Sequence, residues 1–135
     1  MPRPESLSAA LRHVRDAMHL AAPGSSMSRE QGWHLAGIGV ECARKGVLGK
    51  SRFDKARGHD FPEHLASLAA ALDPASRHLP PPVPELANWK IEHRYLPTGA
   101  PLPGDPLAAS QAAARMVDAV VAALWADGDL ERVPA

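Results

Sequence analysis

The chain has 135 residues, 15 basic and 15 acidic side chains, and a single cysteine. That length suits one domain burying roughly two thirds of its unfolded surface without covalent staples. Zero formal net charge removes the general electrostatic case for nonspecific nucleic-acid or membrane binding, and a lone Cys42 excludes an internal disulfide and a cysteine-based metal site.

Leu7, Leu11, Val14 and Met18 recur at steps of three and four, which predicts a helix over residues 5–22 with one apolar stripe. Pro23-Gly24 ends it. Arg12, Arg15, Asp16 and His19 fall on its other faces and read as a solvated surface. Arg12, His13, Arg15 and Asp16 also interrupt any signal-peptide core. With no apolar run near the roughly 18 residues that a membrane span needs, a cytoplasmic protein with no membrane partner is expected.

Ser28, with Gln31 three residues on, is a capping-box pattern opening a second helix over 29–48. Its small and apolar residues, from Trp33 to Val47, cover more than one stripe, as in a helix packed on several sides. Gly37 and Gly39 cost about 1 kcal/mol each against alanine in a helix interior, a loss that close helix–helix approach would offset. A third helix over 61–72 follows, with Asp60 as N-cap, Pro62 in the first turn, Glu63 completing the box and Leu65, Leu68 and Leu72 as its stripe. Asp73-Pro74 stops it.

Residues 74–105 then read as mostly irregular. The stretch "RHLPPPVPELANWKIEHRYLPTGAPLPGDP" holds eight prolines, and so long a connection inside a domain marks function or disorder. Leu86, Trp89, Ile91, Tyr95 and Leu96 are anchors of the kind that disordered linkers lack, so order is expected, with a helical turn around Glu85 to Trp89. Val83 and Leu86 after the triple proline favour docking on the chain's own bundle over display of a polyproline ligand. Asp105-Pro106 opens a last helix over 106–126, which Asp127-Gly128 ends. Trp33, Trp89 and Trp125 read as core or interface. No strand alternation or repeat competes, so the expected fold is all-α: a four-helix up-and-down bundle in one domain, with a long proline-rich connection before the last helix.

Glu41 is the one acid in a run that is apolar or glycine almost all the way round a helix, "WHLAGIGVECARKGVLG". Lys45, four residues on, stands in the favourable orientation for an ion pair. A buried carboxylate needs a cation and hydrogen bonds, and Lys45, His59 and Arg94 are candidates. The expectation is that Glu41 ties the proline-rich region to the bundle through Arg94, Tyr95 or nearby backbone N–H groups. A cleft there would hold a phosphate-bearing ligand against Arg94, Lys45 and His59.

The run "HLAGIGVECARKGVLG" resembles the second helix of HEPN domains, although Arg44 stands where that family is usually apolar. "GHDFPEHLASLAAAL" is similar to the start of the family's third helix, and "NWKIEHRYLPTG" followed by "AASQAAARMVDAVVAAL" resembles the end of some bacterial members. The resemblance spans residues 28–125 in order. It implies a small helical bundle that forms homodimers and belongs to one of two groups. One comprises ribonucleases, often toxins or defence effectors, with an Arg-x(4–6)-His motif at the dimer interface; the other comprises non-catalytic, nucleotide-associated partners of nucleotidyltransferases.

A ribonuclease needs a proton-transfer group and a cation at the phosphate. Arg12/His19, Arg29/His34, Arg52/His59 and Arg57/His64 fit the spacing, but chance alone supplies about two such pairs at this composition. Arg94 and Arg115, where the family's motif usually falls, have no histidine downstream. Arg57 and His64 are the least implausible pair. A rival, an HD-type metal phosphohydrolase, would require His34, His59, Asp60 and Asp118, but Asp60 is better explained as a helix cap and Pro62 opposes a mid-helix doublet. The sequence therefore favours a non-catalytic HEPN-like module for nucleotide or RNA, with no metal or cofactor, beside a nucleotidyltransferase; its ligand residues would be Glu41, Lys45, His59, Arg94 and Tyr95.

Overall fold

In a computed structural model the chain is described over residues 3–24, 28–48 and 80–130. These residues form three helices, α1 (Pro4–Ala21), α2 (Arg29–Leu48) and α3 (Pro106–Ala126), with 3-10 turns at Pro84–Leu86 and Ile91–Tyr95 before α3. No strand occurs among the described residues, which are mostly helical, consistent with an all-α fold. The helix expected over 61–72, with Arg57, His59, Asp60 and His64, lies outside the described residues.

α1 and α2 run antiparallel. The Arg3 N–H, just before α1, donates to the Gly46 carbonyl near the end of α2 at 2.7 Å, while Gly32 at the other end lies against Ala17 and Ala21. Gly32, Gly39 and Gly46 are seven apart and line one edge of α2, the seam spacing of two helices in close contact. A Cβ on Gly39 would lie 2.6 Å from Val14 Cγ1, and one on Gly46 2.9 Å from Leu7 Cδ2. The backbones thus approach more closely than side chains at these positions allow. As expected, close approach accompanies the glycine at 39; Gly37 has a different partner.

α2 is the central element, packed by α1, α3 and the Ile91–Tyr95 turn, and Trp33, Ala36, Val40 and Ala43 are fully buried. Its cap is half the box the sequence suggests: Ser28 Oγ accepts from Gln31 N–H at 3.2 Å, but its hydroxyl donates to Glu30.

α3 begins with Asp105 accepting from the N–H groups of Leu107 and Ala108 and with Pro106 in its first turn. It closes on Gly128, whose φ of +74° lets Asp129 N–H reach the Leu124 carbonyl at 2.9 Å and Gly128 N–H reach that of Trp125, a Schellman ending. α3 is 21 residues long and passes for a membrane-spanning helix by length and composition alone, although Arg115 and Asp118 interrupt its apolar run. Half of it is buried in the protein, where Ala113, Val117, Val120 and Leu124 join the core of α1 and α2.

Candidate functional site

The described part of the proline-rich connection, 80–105, lies across the first half of α2. Val83 and Leu86 are buried and dock its first part on the bundle, as the sequence suggests. Trp89 follows, 5% exposed, with its indole seated where a Cβ of Gly37 would project. On its flank His34 stacks, the two rings inclined by 20° with centroids 6.1 Å apart. Trp33, on the same helix, is fully buried and fits against Gly104, where a Cβ would come within 2.9 Å of its ring. Each tryptophan therefore sits over a glycine of the opposing segment.

Two polar ties fix the connection. The Trp33 indole N–H donates to His93 Nδ1 at 2.9 Å, and the Lys90 backbone N–H donates to the same atom at 3.1 Å. Nδ1 is therefore an acceptor and the imidazole is neutral, with its proton on Nε2. Burial, followed by the neighbouring Lys90 charge, lowers the His93 pKa, with Glu92 opposing. The second tie is Glu30, buried in the first turn of α2. It accepts from the Ser28 hydroxyl at 2.7 Å and from Gly99 N–H at 2.5 Å. These bonds, Ser28 foremost, hold its carboxyl below the ordinary range. An exposed Arg29–Asp105 pair at 3.2 Å joins the starts of α2 and α3 and contributes little by itself.

The candidate ligand residues are placed differently from expectation. Glu41 is buried and pairs with Lys45 Nζ at 2.6 Å within its own helix. Arg94 does not bond Glu41: its guanidinium donates to the Tyr95 hydroxyl at 2.7 Å and lies 4.7 Å from the centre of that ring. Over the described residues 80–105 the acid seen to tie the connection to α2 is Glu30, since this part crosses the first half of the helix and Glu41 lies in the second. Nor is Tyr95 an anchor, being 73% exposed. A 3-10 turn repeats every three residues, so His93 and Leu96 share the inner edge while Glu92 and Tyr95 face out.

Arg44, noted as out of place in an apolar run, is 3% exposed, and burial pushes its pKa down to about 10, so it remains charged at neutral pH. Cys42 is half-buried, and burial raises its thiol pKa. Of the Arg/His spacings, Arg12 and His19 are exposed on α1, whereas Arg29 faces Asp105 and His34 stacks on Trp89. Trp33 and Trp89 are core, as expected, whereas Trp125 is 48% exposed. No group of three potential metal ligands occurs among the described residues.

Sequence reasoning missed His93 and Glu30. The available signal for Glu30 was its first-turn position beside Ser28, and for His93 its place in a short turn flanked by tryptophan and tyrosine. Comparison of the chain with protein-family models, characterised proteins and solved structures gives no match.

Proposed function

We propose that the chain is a non-catalytic, HEPN-like binding module that takes a nucleotide or the end of an RNA strand at the Arg94–Tyr95 surface. The supporting observation is the pairing of an exposed tyrosine ring with an arginine guanidinium over it, on a turn whose inner edge is held by Trp33 and His93. Aromatic faces and guanidinium planes stack on bases, and the cation meets phosphate. Lys90, also exposed, adds a second positive charge beside them. Lys45 contributes less, because Glu41 already neutralises it, so that pair is architectural. In this reading residues 61–72 supply the fourth helix of the up-and-down bundle, the protein is a cytoplasmic homodimer, and a nucleotidyltransferase is its partner.

The test is titration with ATP and with a short single-stranded RNA, read by intrinsic fluorescence. Tyr95→Ala and Arg94→Ala each weaken binding about tenfold or more, since stacking is worth about 1–3 kcal/mol per base. Binding unaffected by both substitutions overturns the reading. RNA cleavage that disappears in His64→Ala would instead make the protein a ribonuclease.

A further inference from the structure

We propose that His93 is a pH-operated latch on the connection: neutral, its Nδ1 receives the Trp33 indole N–H and the Lys90 N–H and holds the Ile91–Tyr95 turn against α2, whereas protonated it accepts neither and lets the turn go. Both partners are obligate donors, since an indole N–H and a backbone N–H have no acceptor capacity. A proton on Nδ1 therefore sets three N–H groups against one another. Trp33 is fully buried, so its N–H gains no water in exchange while the turn stays docked.

Among the described residues, the charges acting on His93 lie on its own segment, Lys90 and Glu92, with Arg94 next to it engaged by Tyr95. From α2, the element packed against it, His93 meets the uncharged Trp33 indole. The ionisable neighbours of Trp33 on that helix are committed elsewhere, Arg29 to Asp105, Glu30 to Ser28 and Gly99 and His34 to Trp89. No carboxylate of α2 bonds the imidazole to compensate an added charge.

Opening is local for a geometric reason. Trp89 on one side of the turn is seated over Gly37, and Gly99 on the other is tied to Glu30. Only the residues between these anchors are freed, and they include Arg94 and Tyr95. The latch holds independently of whether that surface binds a nucleotide.

Nuclear magnetic resonance of the isotope-labelled full chain, titrated from about pH 7.5 to about pH 5, tests it. The Trp33 indole proton and the Lys90 amide are expected to move with the midpoint of the His93 ring. Hydrogen exchange at residues 91–95, corrected for the intrinsic effect of pH, accelerates about tenfold or more while α1 and α3 keep their protection. In His93→Asn, whose carbonyl occupies the position of Nδ1 and does not titrate, that acceleration disappears. The proposal is overturned by a His93 ring that titrates without moving the Trp33 indole, by a ring that stays neutral throughout, or by equal acceleration in His93→Asn. The wild-type titration decides by itself if the variant does not fold.

Discussion

Gly37 shows how one atom sets the position of the connection. Alanine there would gain about 1 kcal/mol of helix propensity, but its Cβ would fall inside the Trp89 indole. Overpacking of that kind costs about 1–3 kcal/mol, and unseating a buried tryptophan costs more. The overlap wins, so Gly37→Ala is expected to lower unfolding free energy by about 2 kcal/mol in urea titration; an unchanged or raised midpoint would mean Trp89 is not seated there. At this scale the sequence was legible where the partner is local. The apolar run around Glu41 signals a buried carboxylate, and Lys45 four residues away meets it. It was illegible where the partner is distant: Glu30 lies between Arg29 and Gln31, a polar surface by any local measure, and is covered by contacts that include Gly99, 69 residues on.

The meeting of α1 and α2 depends on a spacing rather than on any one residue. Gly32, Gly39 and Gly46 remove side chains at every seventh position of one edge, and Leu7, Val14 and Ala21, also seven apart, fill the space. Valine is stiff at χ1 in a helix, so Val14 has little room to yield to a methyl at Gly39, where the contact would be 2.6 Å. Gly39→Ala is expected to lose about 1 kcal/mol net. Val14→Ala alone loses the burial of two methyls, but the double substitution is less damaging than the sum of the two because it removes the clash. Additive values in a double-mutant cycle would show that the seam is not formed by this contact. The helix ends were readable in advance, since Ser28, Asp105-Pro106 and Asp127-Gly128 act through bonds to backbone a few residues away. The glycines at 32 and 46 were not, because a missing side chain announces close approach without saying to what. The Ile91–Tyr95 turn was missed for another reason: it is held by one histidine bonded to another element, and five residues carry too little periodicity to betray it.

Stability of the whole molecule should depend on pH in two separate ranges. His93 and His13 both have folded-state pKa values below the ordinary 6.5, chiefly through burial. The unfolded chain then binds protons more readily, so their contribution is complete above about pH 6.5 and declines as pH falls below it. Glu30 is held below 4.5 by its hydrogen bonds, so its contribution is complete above about 4.5 and is lost only on further acidification. The two histidines differ in kind. His13 lies on α1, whose packing is part of the core, and avoids its cost only by unfolding. His93 sits on a turn between two anchors, so its contribution to the decline stops growing once the turn has opened. Melting temperature is therefore expected to be highest near neutrality and to fall below about pH 6.5, less steeply in His93→Asn at the start of the decline and in parallel with wild type afterwards. Glu30→Gln, which weakens the Ser28 and Gly99 bonds, lowers melting temperature at pH 7 and removes part of the fall below about pH 4.5. A melting temperature constant from about pH 7 to about pH 5 in the wild-type chain would mean that neither imidazole is buried as neutral, and the tautomer assigned to His93 would fall with it.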